Sequence, residues 1–153
     1  MALLILSTIM TVTTAAVIVT VKTTQQNTEL HVNLRQVQNA GNWISRDAMM
    51  AQVVDIDKPG VFLNLKWSDW HGNSSSVDYV LTGNRLTRSL NGGTATLIAE
   101  YIIHDDTPAS PSTCTWDDDA NQLTVTLRAC MHDDNNRYQQ TYEIYPRPVA
   151  SGG

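Results

Sequence analysis

The sequence predicts an α+β fold in which one long N-terminal helix packs against an antiparallel β-sheet. Three observations favour this fold. Residues 2–21 contain no charge, no Gly and no Pro, and residues 22–53 carry a stripe of apolar and small residues at helical spacing. From Val61 onward the apolar residues instead alternate with a period of two, as in half-buried strands.

The first segment, residues 1–21, is predicted to be a transmembrane or assembly helix. At ~1.5 Å per residue, a helix over residues 2–21 would extend ~30 Å, the thickness of a bilayer core. A cleaved signal peptide is the alternative, and the missing basic start and the long apolar run disfavour it. The apolar residues of the predicted assembly surface are Leu3, Leu4, Ile5, Leu6, Ile9, Val12, Val17, Ile18 and Val21.

The second segment, residues 22–58, is predicted to continue the helix as an amphipathic half. Its apolar residues predicted to pack against the sheet are Leu30, Leu34, Val37 and Ile44. Gly41 within this stripe indicates either the close approach of a strand or a bend. Pro59 cannot continue a helix, so the helical segment should end before it.

The third segment, residues 59–153, is predicted to be an antiparallel sheet of about six or seven strands. Two glycine-containing turns, residues 83–84 and 91–93, should connect three of these strands into a meander. The predicted strands cover residues 61–67, 77–82, 85–90, 95–103, 113–116, 122–130 and 137–145. In the most regular of them, Leu123, Val125, Leu127 and Ala129 should share one face.

The charge is distributed unevenly along the chain. Charges cancel in residues 1–58, so the whole net charge of −5 lies in residues 59–153. An acidic domain of this kind disfavours nucleic acid and anionic lipid surfaces as partners. No Gly-rich phosphate loop and no nucleophile elbow occurs, so neither an enzyme nor a small-molecule substrate is indicated.

An acidic turn supplies weak candidates for calcium ligands. Asp117, Asp119 and Asn121 have the spacing of the first ligands of an EF-hand loop. The diagnostic later positions hold Gln122 and Arg128 instead of Gly and Glu, so the motif is incomplete. Turn formation by Asp and Asn is the alternative, and no other cofactor is indicated.

Two cysteines, Cys114 and Cys130, are compatible with one disulfide in an exported domain, and two free thiols are the alternative. If residues 117–121 form a tight hairpin, Cys114 faces Val125 across the ladder. A disulfide would then require the chain after Arg128 to curl back.

A family resemblance rests on the stretch from Asp78 to Ile102. There a strand, a Gly turn, the pattern Leu-x-Arg and a Gly-rich turn lead into Ile-Ala-x-x-Ile. With a helix of about 50 residues before it, this arrangement resembles type IV pilins and type II secretion pseudopilins, in particular the minor, J/W-like subunits. The stretch from Leu34 to Ala51 is also similar to the end of their helix.

The resemblance implies a non-enzymatic structural subunit of a type IV pilus, a type II secretion system or a related filament. Its partners would be other pilin or pseudopilin subunits, contacted through the N-terminal helix. It would reside as a single-pass protein in the inner, cytoplasmic membrane, with the β domain outside the cytoplasm. The alternative from another class is a single-pass membrane protein with a β-rich ligand-binding ectodomain.

The sequence departs from this family at its beginning. The family's basic leader, its Gly at the cleavage point and its Phe-Thr-Leu-Ile-Glu have no counterpart here. The residues from Met1 to Leu6 instead resemble the interior of the family's helix, so we expect a chain truncated relative to the family. Peptidase processing and the buried helix glutamate are not carried over, because no residue matches them.

Overall fold

The structure is a computed structural model that describes residues 2–104, 111–131 and 137–147, with the surroundings of helix side chains described from Thr20 onward. Within these residues the chain forms one helix and eight strands. They are α1 (Ala2–Met50), β1 (Val53–Asp55), β2 (Leu63–Ser68), β3 (Ser74–Thr82), β4 (Arg85–Leu90), β5 (Thr96–Glu100), β6 (Thr113–Asp117), β7 (Gln122–Ala129) and β8 (Tyr138–Ile144). The helix packs against antiparallel strands, which confirms the α+β class.

Helix α1 ends at Met50, earlier than the sequence analysis expected. The β-branched pair Val53 and Val54, assigned to the helix, forms β1 and pairs with Lys66 and Leu65 of β2. Such side chains fit a pleated edge better than a helix end, where they would lose rotamer freedom. The predicted amphipathic continuation over residues 22–58 is therefore helical only to Met50.

The strands form two sheets where a single sheet was expected. The first has the order β1-β2-β3-β4-β5 and the second the order β6-β7-β8, and every pair is antiparallel. Tyr101 adopts a left-handed backbone with φ of 62° directly after β5. The chain then leaves the first sheet, and Ile102 forms a bridge with Ala129 at the end of β7. The two sheets are thus joined at Ile102.

The tight turn expected at residues 83–84 is confirmed. Thr82 pairs with Arg85, and the two residues between them, Gly83 and Asn84, have φ of 54° and 62°. Two consecutive left-handed residues make a type I′ turn, whose twist matches that of the flanking strands. Strand β4 begins and ends at the residues predicted for the strand between the two turns.

One core lies between α1 and the two sheets. The helix contributes Val37, Ala40, Ile44 and Ala48, and Ala51 follows directly after it; all five are fully buried. Leu34 is half-buried. Leu30, which was expected to pack against the sheet, is 42% exposed because the helix has left the sheets at that point. From β7, Leu123, Val125, Leu127 and Ala129 all face this core, as their alternation predicts.

The predicted localisation requires a correction. Among the residues that the structure describes, no helix is both long enough and apolar enough to span a membrane. This finding contradicts the expected single-pass placement in the inner, cytoplasmic membrane with the β domain outside the cytoplasm.

Candidate functional site

The candidate site is the part of α1 that extends beyond the sheets. From Thr20 onward, where helix side chains are described, the first fully buried residue is Asn33, and residues 20–28 are all exposed. The helical backbone continues from there to Ala2, so the extension over residues 2–28 has a length of ~40 Å. Val21 is 51% exposed, and the other predicted assembly residues lie on this backbone, where their side chains are outside the described set.

Two threonines make one face of this extension less polar than its sequence indicates. The hydroxyl of Thr24 donates to the carbonyl of Thr20 at 2.9 Å, and that of Thr28 donates to the carbonyl of Thr24 at 2.9 Å. Hydroxyls that bond back along the helix no longer need an outside partner. This face of the helix can therefore be desolvated at low cost.

An open cleft of about 400 Å³ lies along the same face. We call it the helix cleft, and its main lining residues are Thr20, Val21, Thr24, Thr28, Val32 and Met131. Met131 follows the end of β7 and closes one side, while Gln25 and Glu29 border the cleft on the helix. The cleft combines apolar groups with hydroxyls that are already bonded, which suits an apolar occupant.

Two amide side chains of α1 attach the helix to the edge strand β5. The amide nitrogen of Asn39 donates to the carbonyl of Ile98 at 2.5 Å. The side-chain oxygen of Gln36 accepts from the backbone N–H of Glu100 at 2.9 Å. These side chains satisfy backbone groups that an edge strand would otherwise offer to another chain. The helix therefore protects this edge against strand addition.

A buried polar cluster attaches the helix further along. The carboxylate of Asp47, 2% exposed, accepts from Arg88 Nε at 2.7 Å, from Arg88 Nη2 at 3.2 Å and from the Tyr79 hydroxyl at 2.5 Å. Burial, and then the bond to Asp47, raises the pKa of Tyr79. The same carboxylate raises the pKa of Arg88, whose guanidinium lies 5.1 Å from the ring centre of Trp43. This cluster orients the helix on the sheet.

This cluster was not predicted from the sequence, although one signal was present. Asp47 lies three residues after Ile44 and one before Ala48, on the face that the apolar stripe buries. A carboxylate on a buried face needs a cationic or hydrogen-bonding partner. The identity of that partner was not deducible, since Tyr79 and Arg88 are distant in the chain.

A second polar cluster lies at the pairing of β2 with β3. Asp78 accepts from Lys58 Nζ at 2.7 Å and from the amide nitrogen of Asn64 at 2.6 Å. Burial acts to raise the pKa of Asp78, but the hydrogen bonds from Lys58 and Asn64 outweigh it and lower the pKa below its ordinary value. The cluster ties the loop before β2 to the sheet.

This shift predicts how stability depends on acid. A carboxyl whose pKa is depressed in the folded state contributes stability above its ordinary pKa, and that stability is lost as the pH falls through the folded value. We expect Asp78→Asn to lower the free energy of unfolding at neutral pH, measured by urea titration, by up to about 1 kcal/mol, since Lys58 is partly solvated. Below the ordinary carboxyl pKa of about 3.9 the difference should shrink.

The matched control for this pH dependence is Asp57→Asn, which removes an exposed carboxylate from the same loop. The difference in stability between Asp57→Asn and the parent chain should stay small both at neutral pH and below the ordinary carboxyl pKa. Equal acid sensitivity of the parent chain and Asp78→Asn would show that the Lys58 contact contributes nothing.

The calcium candidates lie in the turn between β6 and β7. The Asp117 carboxylate accepts from the N–H of Ala120 at 2.9 Å. Asn121 has a left-handed backbone with φ of 49°, and its amide donates to the carbonyl of Pro146 at 3.0 Å. Asp119 is exposed at the same turn. In the described ranges no three His, Cys, Asp or Glu side chains cluster in a way that could hold a metal ion. Asp117 and Asn121 thus act in the structure of the turn.

The disulfide considered for Cys114 and Cys130 does not form. Cys114 pairs with Val125, which confirms the register expected for a tight hairpin. Cys130 lies five residues beyond Val125, ~16 Å further along an extended chain, too far for a disulfide. Burial raises the pKa of the Cys114 thiol.

Comparison with known proteins identifies no relative. No protein-family model, no curated protein and no solved structure matches this chain.

Proposed function

We propose that this chain is a structural subunit of a filament, of the minor pilin or pseudopilin type, which assembles with other subunits through its N-terminal helix. One observation carries the proposal: α1 extends past the sheets, and its residues 20–28 are all exposed. The residues before them, 2–21, are uncharged and mostly apolar. Such a helix gains stability when neighbouring subunits cover it.

The apolar residues of the predicted assembly surface would supply the driving force for association. Removing a Leu, Ile or Val side chain from water contributes about 1.5–3 kcal/mol. Residues 3–21 supply many such side chains and no charge whose burial would oppose this gain. Helices of several subunits packed side by side would bury them while keeping every backbone hydrogen bond internal.

The folded part of the chain supports a structural role. The buried Asp47 accepts hydrogen bonds from Arg88 and Tyr79, and these contacts position the helix on the sheet. In an assembly with helices inside, the β domain with its net charge of −5 would face outward. An acidic exterior favours solubility and disfavours nucleic acid as a partner.

A charge placed on the assembly surface tests the proposal. Ile9→Lys should lower the fraction of chain recovered in pelleted filaments by at least about tenfold, because an unpaired charge would be buried in each contact. Near-ultraviolet circular dichroism should be unchanged, since the core lies elsewhere. The matched control is Gln26→Lys, which adds the same charge at an exposed position of the same helix.

The control should assemble like the parent chain, as seen by negative-stain electron microscopy of the pellet. Equal filament yields from Ile9→Lys and the parent chain would refute assembly through this helix. A parent chain that forms no filaments even at high concentration would also contradict the proposal.

A further inference from the structure

Trp70 lies at the tip of the β2–β3 hairpin and is 88% exposed, more than any other large apolar side chain in the described part of the chain. An indole exposed to this extent is unusual, because burying it contributes more than burying almost any other side chain. Trp is also one of the residue types enriched at the hot spots of protein interfaces. This residue therefore indicates a contact surface.

The loop that carries Trp70 is internally braced. One carboxylate oxygen of Asp69 accepts from the N–H groups of His71 and Asn73 at 2.9 and 2.8 Å. Its other oxygen accepts from the Asn73 side chain at 2.8 Å. The Trp70 ring rests against His71, with ring centres 3.3 Å apart. An indole held in place in this way loses little conformational freedom when it binds.

The hairpin tip points beyond the C-terminal end of α1. Tyr79, which pairs with Leu63 at the start of β2, bonds to Asp47 of the helix. Further along β2, the carbonyl of Lys66 accepts from the N–H of Gln52, just after the helix end. Strand β2 thus runs in the same direction as α1 and carries the tip past it.

The helix cleft lies at the opposite end of the folded part. Its last helix residue, Val32, precedes the end of α1 at Met50 by ~27 Å of helix. The cleft, of about 400 Å³, is larger than an indole ring and has an apolar lining. Trp70 cannot reach the cleft of its own chain, so the two can meet only between copies.

We infer that Trp70 of one copy inserts into the helix cleft of the next copy. The contact joins two different surfaces of the same molecule, Trp70 as the knob and the helix cleft as its receptor, so a pair of copies still has one free knob and one free cleft. Repetition of such a head-to-tail contact generates an open filament when the rotation does not close a ring. For its biological role this contact rests on the proposed filament function, to which it adds a named partner surface.

The occupant is a second copy because the chain provides both halves of the contact. The indole is apolar and preorganised, and the cleft offers threonines whose hydroxyls are already bonded to the helix backbone. Single-stranded nucleic acid also stacks on exposed indoles, but it is attracted by basic grooves. Here Asp69 adjoins Trp70 and the chain has a net charge of −5.

A mixing experiment tests the inference on the full chain. All proteins carry Ile9→Lys, so that association through the first part of the helix is suppressed and the remaining association is measured by sedimentation velocity. Trp70→Ala removes the knob, and Thr24→Lys places a charge in the cleft while keeping a good helix former. Each should lower the self-association constant at least about tenfold.

Mixing these two variants should restore association, because one retains the cleft and the other the knob. The mixture should stop at one-to-one complexes, since no further knob and cleft are intact. Tyr145→Ala, which removes another exposed ring, and Gln26→Lys, outside the cleft, should associate like their Ile9→Lys parent.

Other results would overturn the inference. No complex in the mixture, unchanged association of either variant, or no association of the parent would each exclude the knob-in-cleft contact. A separate electron-microscopy assay without Ile9→Lys distinguishes the two proposals. Filaments that form equally well with Trp70→Ala would refute this inference alone, whereas one-to-one complexes without filaments would refute the filament function alone.

Discussion

Replacing Gly41 by alanine should destabilise the fold by about 2–3 kcal/mol, although alanine is the better helix former. A Cβ at this position would lie 2.0 Å from Cζ of Tyr142, far inside van der Waals contact. The Tyr142 ring cannot easily withdraw, because its hydroxyl donates to the carbonyl of Val37 at 3.2 Å. The steric cost should therefore exceed the gain of ~1 kcal/mol in helix propensity.

Urea unfolding of a double-mutant cycle measures this effect. In the background of Tyr142→Ala the obstacle is absent, so Gly41→Ala should there become neutral or stabilising. Asn42→Ala, at an exposed position of the same helix, controls for helix propensity. It should leave stability unchanged or raise it by up to about 0.7 kcal/mol. A Gly41→Ala protein as stable as the parent would show that the helix and β8 are not in close contact.

Replacing Asp47 by alanine should destabilise the fold by about 3–5 kcal/mol. The substitution leaves the Arg88 guanidinium, largely buried, without its carboxylate and the Tyr79 hydroxyl without its acceptor. Most of the loss arises from these groups left unpaired, not from the interaction itself. Asp47→Asn should cost less, because the amide can still accept from Tyr79.

Chemical unfolding at neutral pH measures the loss, with Arg46→Ala as the control at an exposed neighbouring position. A pH series adds a second test, because the pKa of Tyr79 is raised in the folded state. The unfolded chain then loses this proton first, so stability should fall as the pH rises above about 10. A loss below about 1 kcal/mol for Asp47→Ala would contradict the assignment of this cluster as a main anchor of the helix.

Local patterns in the sequence predicted much of the fold. The turn at Gly83 and Asn84 depends on two neighbouring residues, and the face of β7 depends on strict alternation. The split into two sheets was not predictable, because it follows from a left-handed backbone at Tyr101. A glycine at such a position would have indicated this conformation, but a tyrosine does not. The early end of α1 depends on pairing of Val53 with Lys66, a contact formed only in the folded chain.

The candidate site was predictable in part. An uncharged segment over residues 2–21 is visible in composition alone, whereas the place where the helix meets the sheets is not. Leu30 fits the apolar stripe but lies before the first packed turn. The helix cleft depends on Met131, which is far from the helix in the chain. The braced loop of Trp70 depends on the hydrogen bonds of Asp69. Such contacts between distant residues have no sequence period to reveal them.

The most direct test of the account is a cryo-electron microscopy reconstruction of pelleted assemblies of the unmodified chain. We expect the segment over residues 2–21 of each copy to pack against the same segment of its neighbours at the filament axis, with the sheets outside. A reconstruction with this segment at the periphery, or folded back on the sheets of its own chain, would contradict assembly through the N-terminal helix.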